Sequence, residues 1–134
     1  MRARVEVSRG SFIKRELHQG EHIDFVSPLP SPFNYGFIPD LPGEDGDPLD
    51  AVIMGPRLPS GSEVTLPAVA RVRFVDAGAR DDKLVLSALP LTTTQRRTLV
   101  VFFGFYARAK GLLGVLRGHR GPTRFEGLDD YRAV

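Results

Sequence analysis

The sequence of 134 residues contains no cysteine and no tryptophan. Without cysteine there are no disulfides, thiolate metal sites, iron–sulfur clusters or cysteine nucleophiles. Lysine is scarce as well: of eighteen basic residues fifteen are arginine, and the three lysines are Lys14, Lys83 and Lys110. Glycine-rich phosphate loops of the Walker or dinucleotide kind are missing. The N-terminus, Met1-Arg2-Ala3-Arg4-Val5-Glu6, lacks an apolar signal core, and no run of residues suggests eighteen apolar positions together. A soluble, cytoplasmic protein with no membrane contact is therefore expected. What remains is 42% hydrophobic and 25% charged, an ordinary globular composition at a length suited to one domain, residues 1–134.

The net charge of +2 is small for a nucleic-acid-binding surface despite a pI near 9.3, so no nucleic-acid partner is expected. The charges are unevenly placed. Asp40, Glu44, Asp45, Asp47 and Asp50 fall within eleven residues with no base among them, whereas Leu84 to Phe125 carries seven bases and no acid. Two of the rare lysines, Lys14 and Lys83, have acids within two residues.

Local patterns give strands first and a helix last. Residues 2–7 alternate charged and apolar, the mark of a half-buried strand. Phe12 to Leu17 and His22 to Val26 read as a hairpin around His18-Gln19-Gly20, and four prolines from Ser27 to Pro39 exclude a helix. Leu49 to Met54, Glu63 to Val75 and Leu84 to Leu89 read as further strands. Leu99, Phe102, Phe103, Tyr106 and Lys110 share one helical face, with N-caps available at Thr92 to Thr94 and an end expected near Gly111. Five glycines from Gly111 onward suggest a tail without firm structure. The order implies a small barrel-like β core with a helix packed across it.

The carboxylates carry the chemistry. Glu44-Asp45-Gly46-Asp47-Pro48-Leu49-Asp50 puts four acids into seven residues just before a strand. Two bare carboxylates about 4 Å apart repel by roughly 4 kcal/mol at an effective dielectric near 20, so gathering several needs a cation. Hard divalent ions with oxygen ligands, Mg²⁺ above all, suit that role. A second acidic loop, Asp76 with Asp81-Asp82-Lys83, and a third set, Glu6 with Lys14-Arg15-Glu16, repeat the mixture of acid and lysine. Carboxylates for metals beside cations for an anion suit a metal-bound phosphate.

The loop Glu44 to Asp50 resembles the signature loop of the family I soluble inorganic pyrophosphatases. Asn34-Tyr35-Gly36-Phe37-Ile38-Pro39 is similar to the family segment before that loop, and Asp76, Asp81 and Lys83 match its second acidic loop in spacing. Glu6 and the Lys14-Arg15-Glu16 triplet resemble the opening hairpin, and Phe102-Phe103-Gly104-Phe105-Tyr106 resembles the helix that supplies a phosphate-binding tyrosine. The resemblance implies a mainly β (α+β) fold, a five-stranded OB-like barrel with a C-terminal helix packed against it. It implies Mg²⁺-dependent hydrolysis of pyrophosphate to two phosphates in a homo-oligomer. By position Asp45, Asp50, Asp76, Asp81, Glu6 and Glu16 serve the metals, and Asp47 takes the proton of the attacking water. Lys14, Tyr35, Lys83 and Tyr106 hold phosphate oxygens.

The anion-binding set departs from the family pattern. Ile23 to Ser27 contains no arginine where the family has one, Ser31 stands where a tyrosine is usual, and Ala107 follows Tyr106 in place of a lysine. Each lost charge-assisted bond costs about 1.5–3 kcal/mol. Arg15 and Arg108 are the first candidates to replace the missing cations. The open alternatives are hydrolysis of another diphosphate, low activity, or a non-enzymatic OB-type module that binds nucleic acid.

Overall fold

A computed structural model describes residues 1–16, 23–42, 46–118 and 121–131, with the backbone alone described over 12–16 and 23–30. The elements are β1 (Arg2–Val7), β2 (Phe12–Glu16), β3 (Ile23–Pro30), β4 (Asn34–Pro42), β5 (Pro48–Ile53), β6 (Glu63–Thr65), β7 (Ala68–Asp76), β8 (Ala79–Arg80), β9 (Lys83–Leu86), α1 (Thr93–Leu116) and β10 (Arg124–Asp130). The main sheet runs β10-β7-β9-β5-β4-β1-β6, with β8 paired to β7, and β2 pairs with β3 in a separate ribbon. The five strands β1, β4, β5, β9 and β7 form the middle of this OB-like, barrel-like sheet. It does not close on itself among the described residues, and β6 and β10 extend it at either edge.

Both faces of the sheet are apolar, which is why β5 and β9 read as continuous hydrophobic runs. Ala51, Ile53, Leu84 and Leu86 join Ala3, Val5 and Ile38 on one face. Val52 and Val85 join Phe33, Phe74 and the helix residues Leu99, Phe102, Phe103 and Tyr106 on the other. The rings interlock, Phe33 stacking on Phe103 at 5.8 Å and Phe74 lying 5.7 Å from Tyr106. Such pairs contribute roughly 0.5–1.5 kcal/mol each beyond their buried area.

Several local expectations need correction. The prolines of 27–39 exclude a helix as expected, but the stretch is largely strand: β3 runs to Pro30 and β4 begins at Asn34. Pro67 and its neighbour Leu66 split the expected strand 63–75 into β6 and β7. The helix passes Gly111 and ends at Leu116, five residues beyond the expected stop. Its start is sharper, with Thr92 and Gln95 forming a reciprocal capping box. The supposed tail is β10, antiparallel to β7 from Arg124↔Val75 to Asp130↔Ala70. Its glycines mark turns and close approaches rather than disorder. A Cβ at Gly121 would lie 2.8 Å from the Ala77 backbone. The turn expected at His18-Gln19-Gly20 lies outside the described residues, although the antiparallel pairing of β2 and β3 is present.

The outer face of α1 is unexpectedly apolar. Val101, Leu112, Val115 and Leu116 are 64–75% exposed. By length and composition α1 could cross a membrane, with a mean hydropathy of 1.6 over its most apolar window, 28% of which is buried. This corrects the expectation that no such stretch exists.

Candidate functional site

The signature loop is the connection of the β4–β5 hairpin, whose register runs from Asn34↔Ile53 to Pro42↔Pro48. The hairpin is locked at its root by Asn34. Its buried amide accepts from the Arg9 and Leu58 N–H groups at 2.9 Å and donates to the carbonyls of Pro56 and Ile53. Gly36 is required for packing: a Cβ there would lie 1.8 Å from the Arg4 carbonyl oxygen. Asn34 and Gly36 are thus scaffold on either side of Tyr35.

Tyr35, between them, donates its hydroxyl to Asp50 Oδ2 at 3.0 Å. Strand β5 lies parallel to β9 with Asp50 opposite Lys83, and that register sets the centre of the site. The Lys83 ammonium is 3.2 Å from Asp50 Oδ2 and 3.0 Å from Asp81 Oδ2, and also donates to the Asp81 carbonyl at 3.0 Å. Lys83 is fully buried, while Asp50 and Asp81 are 16% and 13% exposed. A buried ammonium is tolerated only when paired and hydrogen-bonded, as here. Its alkyl end lies against Phe74, the nitrogen 5.0 Å from the ring centre.

Four of the sequence-derived site residues, Tyr35, Asp50, Asp81 and Lys83, therefore form one bonded cluster. Asp47 is exposed in the turn after Gly46, whose φ of +86° suits glycine. Glu6 is half-buried on β1 at a register shift between Val5 and Val7. Bulges of this kind re-aim side chains near sites. Asp76, at the end of β7, pairs with Lys110 of α1 at 2.5 Å and accepts from Thr123 at 3.3 Å. Tyr106 is buried against Phe74 and Phe102. Lys14 and Glu16 lie on β2, where only the backbone is described, and Asp45 lies outside the described residues.

Neighbouring acids are scaffold. Asp82 accepts from the Phe74 N–H at 3.0 Å and from Arg80 at 3.2 Å. Arg80 also binds Glu126 of β10 at 2.6 Å. The Arg80 and then the Arg124 hydrogen bonds hold the Glu126 carboxyl below its ordinary range. Ser31, in the position of the missing tyrosine, is a buried turn residue donating to the Phe33 carbonyl at 2.5 Å. Arg108 is exposed. Two residues beyond Tyr106 is a 200° rotation about a helix, so the opposite face receives it. It is no replacement for the missing lysine. Lys110, four residues on, returns to the Tyr106 face. Sequence reasoning gave it no role, although it falls in the same helical stripe.

The sequence model of the family described as "Inorganic pyrophosphatase" matches residues 3–99. The chain belongs to the inorganic pyrophosphatase family. It is 38% identical over 88 residues to soluble inorganic pyrophosphatase 2 of Chlamydomonas reinhardtii, covering 60% of this chain and 45% of that protein. It is 34% identical over 96 residues to the inorganic pyrophosphatase of Saccharolobus solfataricus, covering 67% and 55%. The chain thus spans about half the length of these curated relatives. The fold superposes on the inorganic pyrophosphatase structures of Helicobacter pylori and Thermus thermophilus with a TM-score of 0.73 and 22% identity in each case. The match takes in 97% of this chain and 84% and 82% of those chains. Inorganic pyrophosphatases of family I are metal-dependent in general, and the donors here are hard oxygens. The Asp50 and Asp81 oxygens share one ammonium, which holds them no more than about 6 Å apart. Among the described residues no three acids or histidines converge on one point. The oxygens of Asp50 and Asp81 fit Mg²⁺ in donor chemistry.

Proposed function

We propose that residues 1–134 are one inorganic-pyrophosphatase-like domain that hydrolyses inorganic pyrophosphate to two phosphates with Mg²⁺, in the cytoplasm. The observation that carries this reading is the Tyr35–Asp50–Lys83–Asp81 cluster in a member of the pyrophosphatase family. Asp50 and Asp81 would hold metal, joined by Asp45, Asp76, Glu6 and Glu16. Bound Mg²⁺ supplies positive charge that lowers the pKa of a coordinated water and neutralises the anion. Asp47 accepts the proton of the attacking water from its exposed place in the turn. Lys83 fixes the two carboxylates and offsets their repulsion. Lys14, Tyr35, Lys83 and Tyr106 orient the phosphate oxygens, so the displacement rests on positioning and electrostatics without a covalent intermediate.

Phosphate release from pyrophosphate by the purified chain tests this. Turnover is expected with Mg²⁺ and is lost on adding a chelator; no release under either condition overturns the proposal. Another diphosphate as substrate is favoured by one observation, Ala107 buried in the position of the family lysine. A substrate panel in which pyrophosphate is not preferred selects that reading.

A homo-oligomer is proposed on the apolar outer face of α1. Val101, Leu112 and Val115 repeat along it at helical spacing. Light scattering is expected to give a multiple of the chain mass, and Val101→Glu to reduce it to the monomer. A monomeric wild type that sediments with lipid vesicles instead assigns the face to a membrane.

A further inference from the structure

The segment Asp81-Asp82 departs from the regular ladder of the sheet. Strand β8 ends with Arg80 opposite Val75 of β7, and β9 begins with Lys83 opposite Val72. Between them the Phe74 carbonyl accepts from the Asp81 N–H at 2.9 Å, and the Phe74 N–H donates to Asp82 Oδ1 at 3.0 Å. A side-chain carboxylate thus satisfies a backbone donor that a strand carbonyl would otherwise meet. Asp82 sits between Asp81 and Lys83 in the chain, so its anchorage on Phe74 bears on the direction of both. Those two make the closest contact of the site cluster, Lys83 Nζ to Asp81 Oδ2 at 3.0 Å.

Asp82 is itself held from outside the hairpin. Its Oδ1 accepts from Arg80 at 3.2 Å, and the same guanidinium nitrogen lies 2.6 Å from Glu126 Oε1 on β10. Arg71 approaches the other Asp82 oxygen at 3.7 Å, and Arg124 donates to Glu126 Oε2 at 3.1 Å. The Asp82 and Glu126 side chains are only 13% and 20% exposed, so this chain of charges is screened less than a surface pair. The backbone favours the contact as well. Pairing of β10 with β7 passes from Phe125↔Phe74 to Gly127↔Arg73, which leaves Glu126 as the extra residue of a bulge. Bulges re-aim a side chain beside a functional site. Other ion pairs of β10, Arg73–Asp129 and Arg96–Asp130, both at 2.6 Å, do not involve residues 80–83.

We propose that Glu126 is a positioning residue of the site. Through Arg80 it holds Asp82 on Phe74, and with it the Asp81 carboxylate that is to hold Mg²⁺. The proposal deepens the pyrophosphatase reading and rests on it for the role of Asp81. The test compares wild type, Glu126→Ala, Arg80→Ala, the double variant and Asp130→Ala, a control that cuts a different ion pair of the same strand. Two readouts are taken: Mg²⁺ affinity without substrate, by calorimetric titration, and the Mg²⁺ dependence of pyrophosphate turnover. Glu126→Ala and Arg80→Ala are each expected to weaken Mg²⁺ binding about tenfold. The Mg²⁺ needed for half-maximal turnover should rise in parallel, while KM for pyrophosphate at saturating Mg²⁺ stays within about twofold. The double variant should lose no more than the worse single one, because both break the same chain of bonds. Asp130→Ala should match wild type.

Arg80→Ala is the decisive variant. If the charges act only through their field, removing a cation near the metal tightens Mg²⁺ binding, and that result overturns the proposal. A Glu126→Ala protein that melts earlier yet keeps its Mg²⁺ affinity also overturns it and leaves the network a structural clamp. So does an Asp130→Ala protein that loses as much affinity as Glu126→Ala, or a wild type that binds no Mg²⁺. A wild type whose Mg²⁺ binding depends on both residues, but that releases no phosphate from pyrophosphate, removes the parent reading and leaves the network as organiser of a cation site.

Discussion

Asp47→Asn is expected to reduce Mg²⁺-dependent phosphate release about a thousandfold while the protein melts as before. Asp47 is exposed, in a turn whose shape is set by the positive φ of Gly46 and by Pro48. The amide matches the carboxylate in size, and exposed substitutions of this kind change stability by no more than about 0.5 kcal/mol. What is lost is the ability to accept a proton. Removing a positioned general base costs about 10²–10⁴ in rate, and a site that works by positioning and electrostatics has little to replace it. Phosphate release and circular dichroism melting, measured on the same preparation, check both halves. Retained turnover in the variant would place the base elsewhere.

Lys83→Met is expected to be costly in a different way. The methionine fills the volume beside Phe74 but leaves Asp50 and Asp81, both largely buried and no more than about 6 Å apart, without the Lys83 ammonium between them. Breaking a buried pair by removing one partner costs about 3–5 kcal/mol, which for a domain of this size is a large share of total stability. The loss should be partly reversed by Mg²⁺, because the two carboxylates then meet a different cation. Urea denaturation with and without MgCl₂ reads this directly. Wild type should gain little from the salt and the variant much more. Equal gains in both would mean that the two carboxylates do not form a metal site.

The family and fold class of this chain were legible in the sequence, and the bounds of several elements were not, for identifiable reasons. Four acids in seven residues make the loop 44–50 stand out, and the acid–lysine sets at Asp76–Lys83 and Glu6–Glu16 set it apart from a merely solvated acidic turn. The spacing of Asp76, Asp81 and Lys83 survives because a short hairpin, β7 to β8, fixes it. Strand β1 was readable from alternation because only one of its faces is fully buried. Strand β10 was not. Its flanking glycines look like disorder in sequence, while Gly121 is demanded by the Ala77 backbone 2.8 Å away. The pattern Arg124-Phe125-Glu126 was the available signal. The helix stop was misplaced because the helix runs through Gly111, beside Thr123, to Leu116.

The parallel pairing of β5 with β9 bears on how the protein assembles. Lys83 and Asp50 are 33 positions apart, and β6, β7 and β8 all lie between them. Closing so long a loop lowers the chain's entropy before any site contact forms, and distant pairings of this kind slow folding. The β4–β5 hairpin and α1 are local and can appear early. The ammonium of Lys83 must stay hydrated until β9 docks beside β5. A refolding chain is therefore expected to regain helical signal first and the Asp50–Lys83 pairing last.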